Sequence, residues 1–280
     1  MKTLAAALAA AVLAGGATHS GGSSLIVFAA DRAPAITGDV FRADSNGRVA
    51  NLTHSPWQDT RPLVSPNGKL VAFLSDRGGA GGLWVIGIDG AGLRRVRAIG
   101  FPSEMYVEMA WSPNSKTIAV TTGRVNHSTL SLATPGGPPH ALARAFDLGP
   151  VSWSPDGRLV TVLTRGGVDA YTVAGKKAWS ATSGSPAVGW SPLGYFATGP
   201  YDGRVHVVGI DGVERFAVAA ASAAWSPGGD RLASVAGKRL EISTNQGRIV
   251  RTYTLPFRNV AISWQSAGAI FFSDPYTGAG

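Results

Sequence analysis

The chain has 280 residues, 45% of them hydrophobic, and it contains no cysteine. This composition allows a sizeable core and excludes disulfide bonds, thiolate nucleophiles and cysteine-ligated zinc. The 25 basic and 17 acidic residues give a formal net charge of +8. The basic residues are scattered apart from Arg94-Arg95-Val96-Arg97, and no stacking aromatics interleave with them. Nucleic acid is therefore not expected as a partner.

The amino terminus has the pattern of a secretory signal. Lys2 supplies positive charge, Leu4 to Leu13 form an apolar stretch, and Gly15-Gly16-Ala17 suit cleavage. The pattern predicts a signal peptide over residues 1–17, or up to about 22, and a periplasmic or secreted mature protein. An uncleaved buried helix is the alternative. Gly16 stands where a lipoprotein carries its cysteine, and no second apolar span follows, so no membrane span is expected.

A short motif recurs along the rest of the chain: an apolar strand, then Trp-Ser-Pro, then a turn pair such as Asp-Gly. Full copies begin at Trp111, Trp153, Trp190 and Trp225; a copy without tryptophan begins at Val64, and a degraded copy at Trp264. The motif serines, with Gln265 in the last copy, are separated by 47, 42, 37, 35 and 39 residues. A period near 40 is the length of one four-stranded propeller blade.

Each copy encodes a β-hairpin. Proline cannot donate a ladder hydrogen bond, and the following Asp-Gly or Asn-Gly accepts the left-handed backbone of a tight turn. A single hairpin is marginal in water. The copies are therefore expected to stack, with the tryptophan side chains buried between neighbouring blades.

The predicted strands, labelled A to D from the axis outward, follow the repeat in chain order. The first blade has B, C and D strands at 25–30, 39–43 and 48–53. Blades two to six have their four strands at 63–64, 70–75, 83–88 and 93–98; 107–111, 117–122, 129–133 and 140–144; 151–153, 159–164, 168–173 and 177–182; 187–190, 195–198, 205–210 and 214–219; and 223–225, 232–235, 240–243 and 249–254. Segment 260–264 supplies the missing A strand, and 269–273 competes with 25–30 for the B position.

These elements predict an all-β fold: a six-bladed β-propeller of four-stranded antiparallel blades, closed by joining amino- and carboxyl-terminal strands. Seven blades remain the alternative. One propeller domain is expected over residues 24–274, followed by a tail over 275–280, and the protein is expected to be a monomer.

The repeat resembles the WD-like repeat of TolB-type six-bladed propellers. The resemblance rests on Trp-Ser-Pro-Asp-Gly-Arg at 153–158, on Ser75-Asp76-Arg77, and on Asp89-Gly90, and it covers about residues 24 to 274. It implies the propeller fold and an extracytoplasmic binding role. The α/β domain that precedes the propeller in TolB has no counterpart here, and Ser-Asp-Arg is kept only at 75–77.

No hydrolase, P-loop, zincin or EF-hand motif is present. Glu104 and Glu108 are the only close glutamate pair, but in an extended segment they stand ~13 Å apart, too far for a glycosidase pair. The five histidines are not spaced as metal ligands. No catalytic residue, metal or cofactor is therefore predicted.

The D–A and B–C connections of a propeller gather at one end of its channel, and here they carry many aromatic, arginine and charged residues. Such residues are common interface hot spots. The alternative is that Trp57, Phe101 and Phe257 fill gaps between blades. The predicted binding residues are Trp57, Arg61, Glu104, Tyr106, Glu108, Arg124, His127, Tyr201, Asp202, Arg204 and Arg258.

The first functional hypothesis is a non-catalytic extracytoplasmic scaffold that binds a protein or peptide of the cell envelope through this face. The alternative is a propeller enzyme of the lactonase or glycan-acting type, with a carboxylate or metal site at the channel mouth. That enzyme would draw on Asp59, Glu104, Glu108, His127 or Asp202. A third hypothesis is a sensor or structural part of an envelope assembly.

Overall fold

A computed structural model describes residues 25–31, 38–79, 81–99, 106–124, 127–258, 260–266 and 269–273. These residues form strands and turns, and among them there is no helix long and apolar enough to cross a membrane. The signal peptide and carboxyl-terminal tail predicted from the sequence lie outside the described residues.

The strands of the described chain form seven antiparallel sheets, numbered here in chain order. Sheet 1 has three strands, β1 (Ile26–Asp31), β2 (Gly38–Ala43) and β3 (Val49–Asn51). Sheet 2 has β4 (Asp59–Val64), β5 (Leu70–Ser75), β6 (Gly82–Gly87) and β7 (Arg94–Ala98). Sheet 3 has β8 (Tyr106–Trp111), β9 (Ile118–Arg124), β10 (His127–Ala133) and β11 (His140–Ala145).

The remaining sheets continue the pattern until the last one. Sheet 4 has β12 (Leu148–Trp153), β13 (Leu159–Thr164), β14 (Gly167–Thr172) and β15 (Lys177–Ala181). Sheet 5 has β16 (Gly184–Trp190), β17 (Phe196–Gly199), β18 (Arg204–Val208) and β19 (Glu214–Ala219). Sheet 6 has β20 (Ser222–Trp225), β21 (Arg231–Ala236), β22 (Arg239–Thr244) and β23 (Ile249–Thr254). Within the described part of the chain, sheet 7 has β24 (Ala261–Ser266) and β25 (Ala269–Ser273). The predicted all-β class and the four-stranded antiparallel sheets are confirmed.

The pairing at the carboxyl-terminal end decides between the two segments that the sequence offers for the B position beside 260–264. Of β1 and β25, it is β25 that pairs with β24, from Ala261 opposite Ser273 to Ser266 opposite Ala269. No ladder of the described residues joins sheet 7 to sheet 1. The physical reason is local: β25 directly follows β24, so a hairpin costs far less loop-closure entropy than pairing with the amino terminus. The number of blades, six or seven, stays a prediction.

The turn after each inner strand is built by the motif serine. The Oγ of buried Ser154 accepts a bond from the backbone N–H of Leu159 at 2.9 Å and donates to Asp156 at 2.6 Å. Gly157 completes the turn at φ +70°, a conformation that glycine adopts without strain. The bond from a backbone N–H to the serine Oγ recurs at Ser65, Ser112, Ser191 and Ser226.

Three motif tryptophans link each sheet to the one before it. Their indole Nε1 atoms donate to backbone carbonyls on the inner strand of the preceding sheet, and each acceptor lies two residues before that sheet's motif serine. The pairs are Trp111 to Leu63 at 3.0 Å, Trp153 to Ala110 at 3.0 Å and Trp225 to Gly189 at 3.1 Å. These three side chains are 7%, 9% and 9% exposed, so the predicted burial between sheets is confirmed for them.

Trp190 departs from this pattern. Its Nε1 donates to Thr161 Oγ1 at 3.0 Å instead of to a carbonyl. Its ring packs edge-on against Phe196, with centroids 5.3 Å apart, and against Trp179, with centroids 6.1 Å apart. Trp179, on the outer strand β15, donates its own indole N–H to Ile210 O at 3.0 Å. Sheets 4 and 5 are therefore joined by an aromatic cluster that the repeat motif does not reveal.

One apolar cluster fills each junction between consecutive sheets in the part of the chain that the structure describes. The clusters join sheets 1 and 2, 2 and 3, 3 and 4, 4 and 5, 5 and 6, and 6 and 7. The second of them, for example, packs Leu83 and Val85 against Trp111 and Val120. The core is therefore distributed around the repeat instead of being concentrated in one centre.

Replacing Trp153 by alanine removes a buried indole and its bond to Ala110. We expect a loss of about 3–5 kcal/mol in the free energy of unfolding, because a cavity remains between sheets 3 and 4. Trp153→Phe should cost less, since it keeps part of the packing. Urea titration provides the measurement, with Trp57→Ala as the control because Trp57 is 43% exposed. Equal midpoints for Trp153→Ala and the control would contradict the assigned packing.

Candidate binding face

The strand register places the D–A and B–C connections at one end of each complete sheet. In sheet 2, Asp59 at the start of β4 stands opposite Ser75 at the end of β5, which stands opposite Gly82 at the start of β6. Gly82 in turn is opposite Ala98 at the end of β7. This end of the sheets, called here the loop-rich end, is where the predicted binding residues fall.

The connection between sheets 1 and 2 is anchored at its start by a buried carboxylate. Asp39 on β2 is fully buried. It accepts hydrogen bonds from Asn51 Nδ2 at 2.7 Å, Thr53 Oγ1 at 3.2 Å and the backbone N–H of Ser55 at 3.1 Å. These bonds fix the chain as it leaves β3.

The same connection is anchored at its end by the Ser-Asp-Arg motif after β5. Asp76 accepts the backbone N–H of Gln58 at 2.8 Å. Arg77 Nη2 donates to both carboxylate oxygens of Asp59, at 2.9 and 2.7 Å, and its guanidinium lies 5.2 Å from the ring centroid of Trp84. The pair is buried, with Asp59 0% and Arg77 8% exposed. The motif therefore holds the loop in place through a buried ion pair.

Trp57 lies between these two anchors and remains exposed. Its side chain is 43% accessible, and its backbone N–H donates to Ser55 Oγ at 3.0 Å. The alternative reading of Trp57 as a residue that fills a gap between sheets does not fit this exposure. An aromatic side chain on a fixed loop is suited to binding, because little conformational entropy is lost when a partner covers it.

Arg61 and Glu108 lie close together at the loop-rich end. They occupy the same repeat position on neighbouring inner strands, because each lies four residues before the motif serine of its sheet, Ser65 or Ser112. Arg61 has a positive φ of 51° and lies within a register shift between Thr60 and Leu63. A bulge of this kind redirects a side chain. Arg61 Nη1 reaches the carbonyl of Val107 at 2.5 Å and Glu108 Oε1 at 3.4 Å. Both side chains are about half exposed, which leaves them accessible to a partner.

A second cluster forms in sheet 5 around His206. Its Nδ1 lies 3.0 Å from Glu214 Oε2, and its Nε2 lies 3.1 Å from Asp202 Oδ2. The ring of Tyr201, which is 45% exposed, stacks on the imidazole with centroids 4.9 Å apart. His206, which the sequence does not identify as a binding residue, therefore contacts both Tyr201 and Asp202. Arg204 joins them through its backbone N–H, which donates to Asp202 at 3.0 Å.

The electrostatics of this cluster favour protonated His206. Burial lowers the pKa of His206, but the hydrogen bonds and negative charges of Glu214 and Asp202 outweigh burial, so the pKa is raised above 6.5. The pKa of Asp202 shifts the other way. Desolvation raises it, but the hydrogen bonds from His206 and from the backbone of Arg204 lower it by more, so the net change is a decrease. Protonated His206 therefore forms ion pairs with both carboxylates, and their charges extend the pH range over which it stays protonated.

The other predicted residues are not joined to these two clusters by described contacts. His127 is exposed at the turn between β9 and β10, and Arg258 is exposed after Phe257. Glu104 lies outside the described residues, as do the side chains of Tyr106 and Arg124. Among the described residues, no group of three His, Cys, Asp or Glu side chains is arranged to hold a metal ion.

Several residues of this end escape sequence reasoning. Asp39 and Arg77 give no signal of burial in the sequence, although Ser75-Asp76-Arg77 stands out as a motif. Phe146, in the connection between β11 and β12, is 56% exposed. An isolated Phe in a turn between two strands gives no indication of whether it is buried, so the pattern does not identify it.

Comparison with solved structures supports a β-propeller. The chain is similar to TolB from Acinetobacter baumannii, with a TM-score of 0.51 and 17% identity over 85% of this chain and 66% of that one. It is similar to a structure from a study of two prolyl endopeptidases, with a TM-score of 0.53 and 18% identity over 86% of this chain and 43% of that one. A eukaryotic initiation factor gives a TM-score of 0.60 at 13% identity over 89% of this chain and 65% of that one.

The fold is that of a β-propeller. The similarities show the fold alone, because every identity is below 25% and the chain spans less than two thirds of the length of these structures. No family model and no curated protein matches the sequence. The comparisons therefore give the fold of this chain and no information on its function.

The His206 cluster predicts a pH-dependent contribution to stability. Because the folded pKa is raised, the stabilisation is complete below the ordinary histidine pKa of about 6.5 and is lost as pH rises through the folded pKa. The difference in unfolding free energy between the wild type and His206→Gln should therefore be larger at about pH 5.5 than at about pH 9, because a histidine loses its proton between acidic and alkaline pH. Urea titrations at each pH measure it, with the exposed His127→Gln as control. A difference that grows with pH would contradict the assignment.

The buried pair in sheet 2 predicts a contrast between single and double variants. Asp59→Ala leaves the buried Arg77 cation unpaired and should cost about 3–5 kcal/mol. The double variant Asp59→Leu with Arg77→Met should recover most of that loss, because both charges are removed together. Urea denaturation of the three proteins provides the measurement. If the Asp59→Ala protein is as stable as the wild type, the ion pair has no structural role, and Asp59 becomes a candidate catalytic residue.

Proposed function

We propose that this protein is a non-catalytic, extracytoplasmic β-propeller scaffold of the TolB-like type that binds a protein or peptide of the cell envelope through its loop-rich end. The observation that carries the proposal is Trp57, an exposed aromatic residue on a loop fixed by Asp39 on one side and by Asp76 and Arg77 on the other. The loop is ordered before any partner arrives.

The chemistry around Trp57 supports a protein partner. Tryptophan, tyrosine and arginine are enriched among residues that contribute most to binding energy. The loop-rich end presents all three, in Trp57, Tyr201 and Arg258, each of them exposed. The half-exposed Arg61–Glu108 pair adds charges of both signs, which favours a particular orientation of a partner more than it adds affinity.

The expected signal peptide and the similarity to TolB support a site of action outside the cytoplasm. A periplasmic or secreted location also agrees with the absence of cysteine from the sequence, since no thiol has to be kept reduced.

The enzyme alternative has less support among the described residues. Of its candidate groups, Asp59 is neutralised by Arg77, Glu108 is paired with Arg61, and Asp202 is held by His206. Each carboxylate has a structural partner, so a catalytic role would require that partner to be displaced.

Capture of a partner tests the proposal. The chain without residues 1–22 is immobilised and exposed to a cell-envelope extract, and the captured proteins are identified by mass spectrometry. Trp57→Ala and Arg258→Ala should each reduce capture of the same protein by about tenfold, as loss of a hot-spot side chain does, with unfolding midpoints unchanged. The matched control is Leu193→Ala, which is 55% exposed in a turn at the opposite end of the sheets.

Two outcomes count against the proposal. Capture that is lost equally with Leu193→Ala would show that the loop-rich end is not the binding face. Metal analysis of the same preparation that finds one equivalent of a divalent ion, lost in Glu108→Gln, would favour the enzyme.

A further inference from the structure

The last strand of the described chain is an open sheet edge. In sheets 2 to 6 the second strand is hydrogen-bonded on both sides, and strands such as β5 and β21 are buried along most of their length. β25 occupies the same position in sheet 7 but pairs only with β24 among the described residues. Its backbone groups on the far side therefore have no ladder partner in the described chain.

The side chains of β25 are apolar and exposed. Phe271 is 55% and Phe272 is 37% accessible. The ring of Phe272 lies 5.4 Å from that of Phe257, which is itself 40% accessible. Phe272 and Phe257 are thus grouped on one face of the sheet, and Phe271, the preceding residue of the strand, is exposed on the other face. Large exposed apolar side chains of this kind mark interaction sites.

The neighbouring sheet is uncovered on the same side. In earlier sheets an aromatic residue of the outer strand packs directly against a turn of the next sheet. Trp179 of sheet 4 lies so close to Gly212 of sheet 5 that a Cβ added there would stand 2.4 Å from it, and Phe216 of sheet 5 lies similarly close to Gly247 of sheet 6, at 2.6 Å. Sheet 7 has no third or fourth strand among the described residues, so it offers no such turn to sheet 6. All six residues of β23 are accordingly exposed.

The sequence of β25 lacks the charged residues and prolines that commonly prevent pairing at an edge. Native edge strands are protected by lysine, proline, bulges or a covering segment. β25 reads Ala-Ile-Phe-Phe-Ser, without a charge or a proline. An unprotected edge of this length accepts a strand of five or so residues through backbone hydrogen bonds.

The charges nearby select an acidic strand. Arg258 follows Phe257 directly, Arg248 immediately precedes the exposed strand β23, and Arg251 lies within it. None of the three forms an ion pair with a described carboxylate. A second copy of this chain is disfavoured as the occupant, because its formal net charge of +8 is repelled by the same charge here.

We propose that the outer edge of β25 is a docking site for an extended, acidic segment of a partner protein, which joins sheet 7 as a third strand. Side chains of that segment on one face of the sheet contact Phe272, those on the other face contact Phe271, and its acidic residues pair with Arg258 and Arg251. The two proposals share Arg258, but Trp57 belongs to the first alone and Phe271 to the second alone. Variants at these two residues therefore let the proposals fail separately.

Direct binding of a synthetic strand tests this inference. The probe is an end-capped, fluorescein-labelled peptide of sequence Glu-Val-Thr-Val-Thr-Val-Glu, titrated against the chain without residues 1–22 and followed by fluorescence anisotropy. Methylation of the two threonine backbone nitrogens, which removes ladder donors, should weaken binding by about tenfold. Replacing both glutamates by lysine should weaken it by about fivefold at low salt.

Variants of the protein locate the site. Phe271→Asp should weaken binding of the acidic probe by about tenfold without changing the unfolding midpoint, because the side chain is 55% exposed. Phe146→Asp is the matched control: it is 56% exposed at the loop-rich end and should bind the probe as the wild type does.

Three results would overturn the proposal. They are no measurable binding of the probe, equal binding of the N-methylated peptide, and equal loss of binding in the Phe146 and Phe271 variants. Sedimentation of the wild type as a dimer that Phe271→Asp dissociates would also overturn it, since the occupant would then be a second copy.

Discussion

The indole hydrogen bond from one sheet to the inner strand of the preceding sheet is the contact on which the fold depends. An isolated two-stranded hairpin has little stability in water by itself, and a larger sheet still exposes its apolar face until another sheet covers it. Burial of Trp111, Trp153 and Trp225 removes that face from solvent, and the indole N–H satisfies a carbonyl on the inner edge of the previous sheet. Because the acceptor always lies two residues before the motif serine, the bond also sets the position of each sheet relative to the last.

The inner strands carry a second set of contacts that run in the opposite direction, toward the next sheet. Ser222 Oγ donates to Val260 O at 2.6 Å, and Arg61 Nη1 donates to Val107 O from the equivalent position. In sheet 6 this position holds a short serine that serves packing alone. In sheet 2 it holds an arginine that is long enough to reach Glu108 as well and remains half exposed. The candidate binding face therefore uses a structural position of the repeat, with a larger side chain placed there.

Much of the fold follows from the sequence because each repeat marks its own turn, whereas the candidate site follows only in part. The strands after the motif begin within a residue or so of their predicted starts, since Ser-Pro and Asp-Gly define them. The inner strands begin earlier than predicted in sheets 2, 4 and 5, where Pro62, Pro150 and Pro186 interrupt the strand pattern and the register shifts. Exposed Trp57 and Arg61 are found by residue type. Asp39 and Arg77, which hold the loop that carries Trp57, act on residues distant in sequence and leave no local pattern.

The same rule that stabilises the sheets explains where the repeat leaves surface uncovered. The outer strand of a sheet is covered by the turn of the sheet that follows it, as Trp179 and Phe216 are by the turns at Gly212 and Gly247. Among the described residues sheet 7 has two strands, and β23, the outer strand of the sheet before it, is exposed along its whole length. The exposed aromatic edge at β25 is thus not a local irregularity of one strand. It follows from an array in which the cover of every sheet depends on its neighbour.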